Sequence, residues 1–124
     1  MSRYLMIGLG GFLGANVRFL VTLWSAQKWG GQFPYGTLVI NLSGSFVLCF
    51  LAMLLSERWL SYPDFRLALL VGFLGSYTTF STFSLEALQL AQNGQLGASF
   101  MYVCGSVMGG VLGGYAGLLL GRLF

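Results

Sequence analysis

Histidine is absent from these 124 residues, and there are only three carboxylates, Glu57, Asp64 and Glu86. That scarcity removes most general acid–base couples, metal-ligand sets and proton relays, so the chain does not read as an enzyme. Two cysteines, Cys49 and Cys104, stand apart inside apolar runs with no CxxC spacing. They read as packing residues rather than as a disulfide or a redox pair. Charged residues make up 7% of the chain, against roughly 25% in soluble domains. Six basic residues, Arg3, Arg18, Lys28, Arg58, Arg66 and Arg122, give a formal charge of +3 without forming a cluster, and nucleic acid is not implied.

What is present in abundance is apolar. The chain is 56% hydrophobic, with a mean hydropathy of +0.80, which identifies an all-α integral membrane protein. A helical span takes about 20 residues, so residues 1–124 form one domain of four spans, at about 4–26, 36–56, 67–90 and 96–121. The lipid bilayer is their partner. Trp24, Trp29, Phe33 and Tyr35 mark an interfacial turn after the first span, with Trp59 and Tyr62 in the next connection. Pro63 and Asn93-Gly94 read as further breaks.

One stretch departs from this pattern. Gly72-Phe73-Leu74-Gly75-Ser76-Tyr77-Thr78-Thr79-Phe80-Ser81-Thr82-Phe83-Ser84 becomes polar in the middle of the third span without acquiring a charge. Hydroxyls at Thr78, Thr79, Ser81, Thr82 and Ser84 surround Phe80 and Phe83, as in the lining of a passage. Ser and Thr compete for backbone hydrogen bonds and Gly75 loosens the chain ahead of them, so the third helix is expected to break near its middle, between Gly75 and Thr79. A broken helix persists in a bilayer only where protein or a water-filled cavity satisfies the freed backbone groups.

The other spans add a few polar groups. Asn41, close to Thr37, Ser43, Gly44 and Ser45, reads either as interhelical glue or as a pore-lining amide. Arg18 reads either as a charge in a vestibule, where it would attract anions, or as a snorkelling residue near a helix end. Glu86 stands at the mouth of a passage or merely where the buried part of the helix ends. Gly8 to Gly14 superficially looks like a dinucleotide-binding loop, but no strand precedes it and no acidic residue follows at the required distance. Gly10 and Gly14 instead form a GxxxG pair for close helix packing. Arg18 also argues against a cleaved signal peptide.

In the fourth span Gly105, Gly109, Gly113, Gly117 and Gly121 recur every four residues, a packing line that winds around the helix by about 40° per step. Gly110 and Gly114 widen it, and Tyr102 and Ser106 share one face. Four such helices do not easily enclose an aqueous path, so an oligomer is expected, most simply a two-fold dimer. An even number of spans puts both termini on one side. Lys and Arg outside the spans divide 4 to 1 in favour of cytoplasmic termini. Hydroxyls, an amide and phenyl ring edges suit a small anion better than a cation, although hydroxyls and carbonyls also coordinate cations.

Gly72-Phe73-Leu74-Gly75 running into Thr78-Thr79-Phe80-Ser81-Thr82-Phe83-Ser84, together with Gly36-Thr37-Leu38 leading to Asn41-Leu42 and the Gly-rich first span with Arg18, closely resembles the Fluc (crcB-type) family of bacterial fluoride channels. The resemblance covers the whole chain. It implies a passive, fluoride-selective channel that exports fluoride across the bacterial plasma (inner) membrane. It also implies an antiparallel, dual-topology homodimer with two pores and a structural Na⁺ at its centre. Position by position, Phe80 and Phe83 match the pore phenylalanines, Asn41 the pore amide, and Ser81, Thr82, Tyr102 and Ser106 a track of hydroxyls. Gly75 and Thr78 match the break whose carbonyls hold sodium. Arg18 is similar to a vestibule arginine, Thr37 to a neighbouring polar residue, and Glu86 to a residue by the pore mouth.

Three features depart from that pattern. Ser76-Tyr77 stands where Gly-Leu is common, Gly110 stands where some members have a track serine, and the 4 to 1 charge ratio differs from the ratio near one expected of dual topology. The competing classes are a four-span multidrug or small-cation transporter, a membrane scaffold subunit and a membrane enzyme, the last short of a base in a chain without histidine. The first needs an intramembrane carboxylate for proton exchange, which the first span lacks, and the second leaves the hydroxyl stretch unexplained.

Overall fold

The computed structural model describes the backbone of residues 2–58 and 63–124, and the side chains of 3–55 and 63–124. Trp59 and Tyr62, expected at an interface, lie outside the described residues, as do the side chains of Glu57 and Arg58. Every described element is helical. Helix α1 spans Ser2–Trp29 and α2 spans Tyr35–Arg58; the third span comprises α3 (Pro63–Arg66), a π-helical segment (Leu67–Leu74), α4 (Gly75–Tyr77) and α5 (Phe80–Gln92); α6 spans Leu96–Gly121. Among the described residues, four stretches are long and apolar enough to cross a membrane: Arg3–Trp29, Tyr35–Leu55, Pro63–Gln92 and Leu96–Gly121.

The third span is broken between α4 and α5. Thr78 and Thr79 are both extended, with φ/ψ of −78°/158° and −152°/118°, and α5 restarts at Phe80. Thr79 is the N-cap: its Oγ1 accepts from the Thr82 N–H at 3.3 Å and donates to Thr82 Oγ1 at 3.0 Å, giving the restarted helix one of the donors' partners it otherwise lacks. Ahead of the break, the wider π-helical winding replaces the regular ladder over Leu67–Leu74, a variation frequent at functional sites.

Glycine sets how closely the helices approach. A methyl group at Gly10 would collide with the Ala68 carbonyl, and one at Gly14 with the Phe73 carbonyl, so α1 lies backbone to backbone against the π-helical segment. Helix α6 lies along α2 in the most extensive pairing of the fold. Gly117 and Gly121 meet the Phe46 and Phe50 carbonyls there, Gly109 meets the Leu42 side chain, and Gly113 lies beside the Leu42 carbonyl. Gly105 has nothing within 4 Å, so the winding line leaves α2 at its upper end.

The turns follow local chemistry. Gly30 and Gly94 take positive φ, 76° and 78°, which glycine adopts without a Cβ penalty. In the last turns of α1 the Lys28 ammonium lies 5.0 Å from the Trp24 ring and 5.3 Å from Trp29, a cation–π pairing suited to an aromatic belt. At the opposite end of α1, Arg3 pairs with Asp64 of α3 at 3.3 Å. The tightest side-chain core is Phe83, Ala87, Leu90 and Tyr102, where α5 meets α6. Most other large apolar side chains point outward, among them Leu9, Phe12 and Leu13 on α1 and Met108, Val111 and Leu112 on α6, as suits helices surrounded by lipid or by another apolar surface.

Candidate functional site

Asn41 and the break form the centre of the site. The Asn41 Nδ2 donates to the Thr79 carbonyl at 3.0 Å, and its Oδ1 accepts from the Thr79 N–H at 2.9 Å. One side chain thus satisfies both backbone groups of an extended residue that is 8% exposed, where unpaired groups would be costly. Asn41 thus joins α2 to the third span, and it lines a groove of about 620 Å³ that also takes in Thr78, Thr79, Phe80, Phe83 and Ser106.

The engagement of Thr79 has a further consequence. In an unbroken helix the Thr79 N–H would bond to the Gly75 carbonyl and the Thr82 N–H to the Thr78 carbonyl. Both donors are turned elsewhere, to Asn41 and to Thr79 Oγ1. The Gly75 and Thr78 carbonyl oxygens are therefore released from the ladder within one turn of each other. They are neutral, hard oxygen donors of the kind that coordinate alkali cations. Among the described residues there is no group of three or more His, Cys, Asp or Glu that could hold a metal.

A continuous series of groups leads from this groove to one end of the molecule. Phe80 and Phe83 have ring centroids 5.6 Å apart, and Phe83 lies 5.2 Å from the Tyr102 ring. The Tyr102 hydroxyl, on a side chain that is 1% exposed, donates to Glu86 Oε2 at 2.8 Å, and Thr37 Oγ1 donates to Glu86 Oε1 at 2.9 Å. Glu86 and Thr37 in turn line a second cavity of about 440 Å³ together with Thr22, Gln32, Gln89 and Asn93. An open polar vestibule, a carboxylate held by two hydroxyls, an aromatic neck and the groove thus follow one another.

The two phenylalanines differ sharply: Phe83 is 8% exposed and Phe80 is 79% exposed. Ser106 carries a buried Oγ with no hydrogen-bond partner, an unusual state for a hydroxyl in a folded protein. Not every residue singled out in the sequence converges on the groove. Ser81 and Thr82 face outward on α5. Arg18 lies half-buried on α1 and lines neither cavity.

Other contributors are not obvious from the sequence. Thr79 is both cap and partner of Asn41. The Tyr77 hydroxyl lies 3.0 Å from Ser43 Oγ and its ring stacks on Phe73 at 6.2 Å, so Tyr77 braces the break against α2. Only the cap leaves a local trace, a threonine three residues before another hydroxyl at a helix start. The Tyr77–Ser43 contact joins residues 34 apart and leaves none.

Comparison with known proteins covers nearly the whole chain. Residues 5–118 match the family described as CrcB-like protein, Camphor Resistance (CrcB). The chain is 43% identical over 122 residues to the fluoride-specific ion channel FluC of Rhizobium meliloti (strain 1021), covering 98% of both chains. It is 43% identical over 117 residues to the protein of that name from Stutzerimonas stutzeri (strain A1501), covering 94% of each. With the FluC of Chloroflexus aurantiacus (strain ATCC 29366 / DSM 635 / J-10-fl) it shares 42% identity over 124 residues, all of this chain and 98% of the other. Matched over residues 5–118 by a single family and over 94% or more of its length by these relatives, this multi-pass membrane protein belongs to the CrcB family.

Proposed function

We propose that this chain is a fluoride-selective channel that passively exports fluoride from the cytoplasm across a bacterial plasma membrane. The observation that carries the reading is the groove beside the Asn41–Thr79 pair, which offers hydroxyls, an amide and two phenyl rings without a charged side chain. Fluoride binds water strongly, and a path for it must replace that water with donors at each step. Hydroxyl and amide hydrogens do this as charge-assisted bonds, and ring edges add a positive surface. The relatives named as fluoride-specific ion channels support the same ion. A proton-coupled drug transporter is not favoured, because α1 carries no carboxylate.

The functional unit in this reading is an antiparallel, dual-topology homodimer with two pores. Phe80 is left 79% exposed and the groove is open along one side, while Ser81 and Thr82 face outward at the depth of the break. Polar groups there are costly against lipid, and a second copy would cover them. The two freed carbonyls of Gly75 and Thr78 are too few to enclose a sodium ion. Two copies related by a two-fold axis double the set, and a structural Na⁺ between them is part of the proposal.

Efflux from liposomes containing the purified protein tests the ion: fluoride should leave rapidly and chloride should not, each followed with an ion-selective electrode. A folded dimer that releases neither ion overturns the channel reading. A protease-accessible tag on the C-terminus should be cut from both sides of the membrane in cells; cutting from one side only overturns dual topology.

A further inference from the structure

The groove is walled by two rows of residues at four-residue spacing, which keeps each row on one helix face. From α2 come Asn41, Ser45 and Cys49; from α6 come Ser106, Gly110 and Gly114; all six line the groove. The rows are in register. A methyl group at Gly110 would lie 3.6 Å from Ser45 Oγ, and one at Gly114 would lie 3.1 Å from Cys49 Sγ. Over these two glycines of the groove, α2 projects a polar or polarizable side-chain atom.

Beyond Ser106, therefore, α6 supplies no hydroxyl for two turns, and the nearest one on the opposite wall is Ser45. Ser106 makes the need for it concrete, because its Oγ is buried and unpartnered and faces the same groove. A buried hydroxyl without a protein partner has its hydrogen-bonding capacity free for whatever occupies the groove. A small anion held there loses water and must find a donor at its next position, since an ion stripped of solvent in a low-dielectric site is not tolerated unpaired.

We propose that Ser45 is a further lining residue of the anion path, receiving fluoride from Ser106 in the space left open by the missing side chain of Gly110. This rests on the channel reading above. At the level of Gly110 the donor stands on α2 instead of α6.

The test uses three purified proteins in liposomes, the parent chain, Ser45→Ala and the double variant Ser45→Ala/Gly110→Ser, each checked for dimeric elution. Ser45→Ala keeps the Cβ and creates no steric conflict. Its fluoride efflux should fall on the order of tenfold, the factor that corresponds to one lost hydrogen bond to an ion. The double variant returns a hydroxyl to the α6 wall, where the 3.6 Å spacing leaves room, and should recover most of the parent rate. If the parent releases fluoride and Ser45→Ala matches it, the Ser45 assignment fails and the channel reading stands. If Ser45→Ala is slow and the double variant is equally slow, the hydroxyl is not what matters and the proposal is overturned. A folded parent that releases no fluoride overturns the channel reading, and the assignment with it.

Discussion

Asn41 binds Thr79 as one peptide group binds another, donating to its carbonyl at 3.0 Å and accepting from its N–H at 2.9 Å. The pairing makes a helix break tolerable inside an apolar protein, because it gives the Thr79 N–H, which has no ladder partner at the start of α5, a side-chain acceptor and adds a donor at the Thr79 carbonyl. It predicts that Asn41→Leu, similar in size but unable to pair, destabilises the protomer. The Thr79 N–H left without a partner costs about 1–3 kcal/mol. The thermal unfolding midpoint in detergent should fall by several degrees and fluoride efflux should be lost. An unchanged midpoint would mean that the break is held by something other than Asn41.

Phe80 and Phe83 should separate when mutated. Phe83 is packed with Ala87, Leu90 and Tyr102, so Phe83→Ile disturbs a core and should cost on the order of 1–2 kcal/mol of protomer stability, below the about 3–5 of full truncation. Phe80 is outside that core and 79% exposed. Phe80→Ile should leave folding and dimeric elution intact while abolishing fluoride efflux, because a branched aliphatic chain has no positive ring edge to present. Normal efflux in a well-folded Phe80→Ile protein would argue against an aromatic lining.

The fold was largely readable in the sequence because its signals are local or periodic: four charge-poor stretches, punctuation at Pro63 and Asn93-Gly94, and a hydroxyl run that cannot hold a regular helix. The break falls at Thr78 and Thr79, inside the Gly75 to Thr79 window. The site was readable only in part. Asn41 stands out as an amide in an apolar run, but its partner is a backbone group 38 residues away. Tyr77 looks like a change of side-chain size beside the break, and only the fold shows its hydroxyl at Ser43. Among the described residues the third stretch is already helical at Pro63, ahead of residue 67 at which the sequence placed the start of its span, because α3 carries Asp64 and Arg66 in a helical turn that hydropathy alone does not extend across.

The glycine rows allow a paired prediction. Gly14→Ala puts a methyl group onto the Phe73 carbonyl, where backbone and not a flexible side chain must yield. The helices would have to separate, at about 1–3 kcal/mol by analogy with overpacked cores, and expression as a folded protein should drop. Gly105→Ala meets nothing within 4 Å in the protomer and should express normally. If its dimer nevertheless dissociates at a lower detergent dilution, Gly105 belongs to the contact between copies. If Gly14→Ala is as stable as the parent, the close approach of α1 to the π-helical segment is not required.

Sodium should behave as a structural ligand. The donors that would engage the Gly75 and Thr78 carbonyls in a helix are committed to Asn41 and to Thr79 Oγ1, so those oxygens gain most from a cation and lose most without one. An ion that binds the folded dimer alone stabilises it in proportion to the logarithm of its concentration once well above its dissociation constant. The unfolding midpoint of the dimer should therefore rise steadily with added NaCl at constant ionic strength, with N-methylglucamine chloride as the balancing salt. Potassium, larger than sodium, should stabilise less. Fluoride efflux in sodium-free, N-methylglucamine buffers should decline as the ion dissociates and return on adding Na⁺. Identical midpoints and identical efflux in the two salts would remove sodium from the assembly and leave the freed carbonyls to be satisfied by the partner chain or by water.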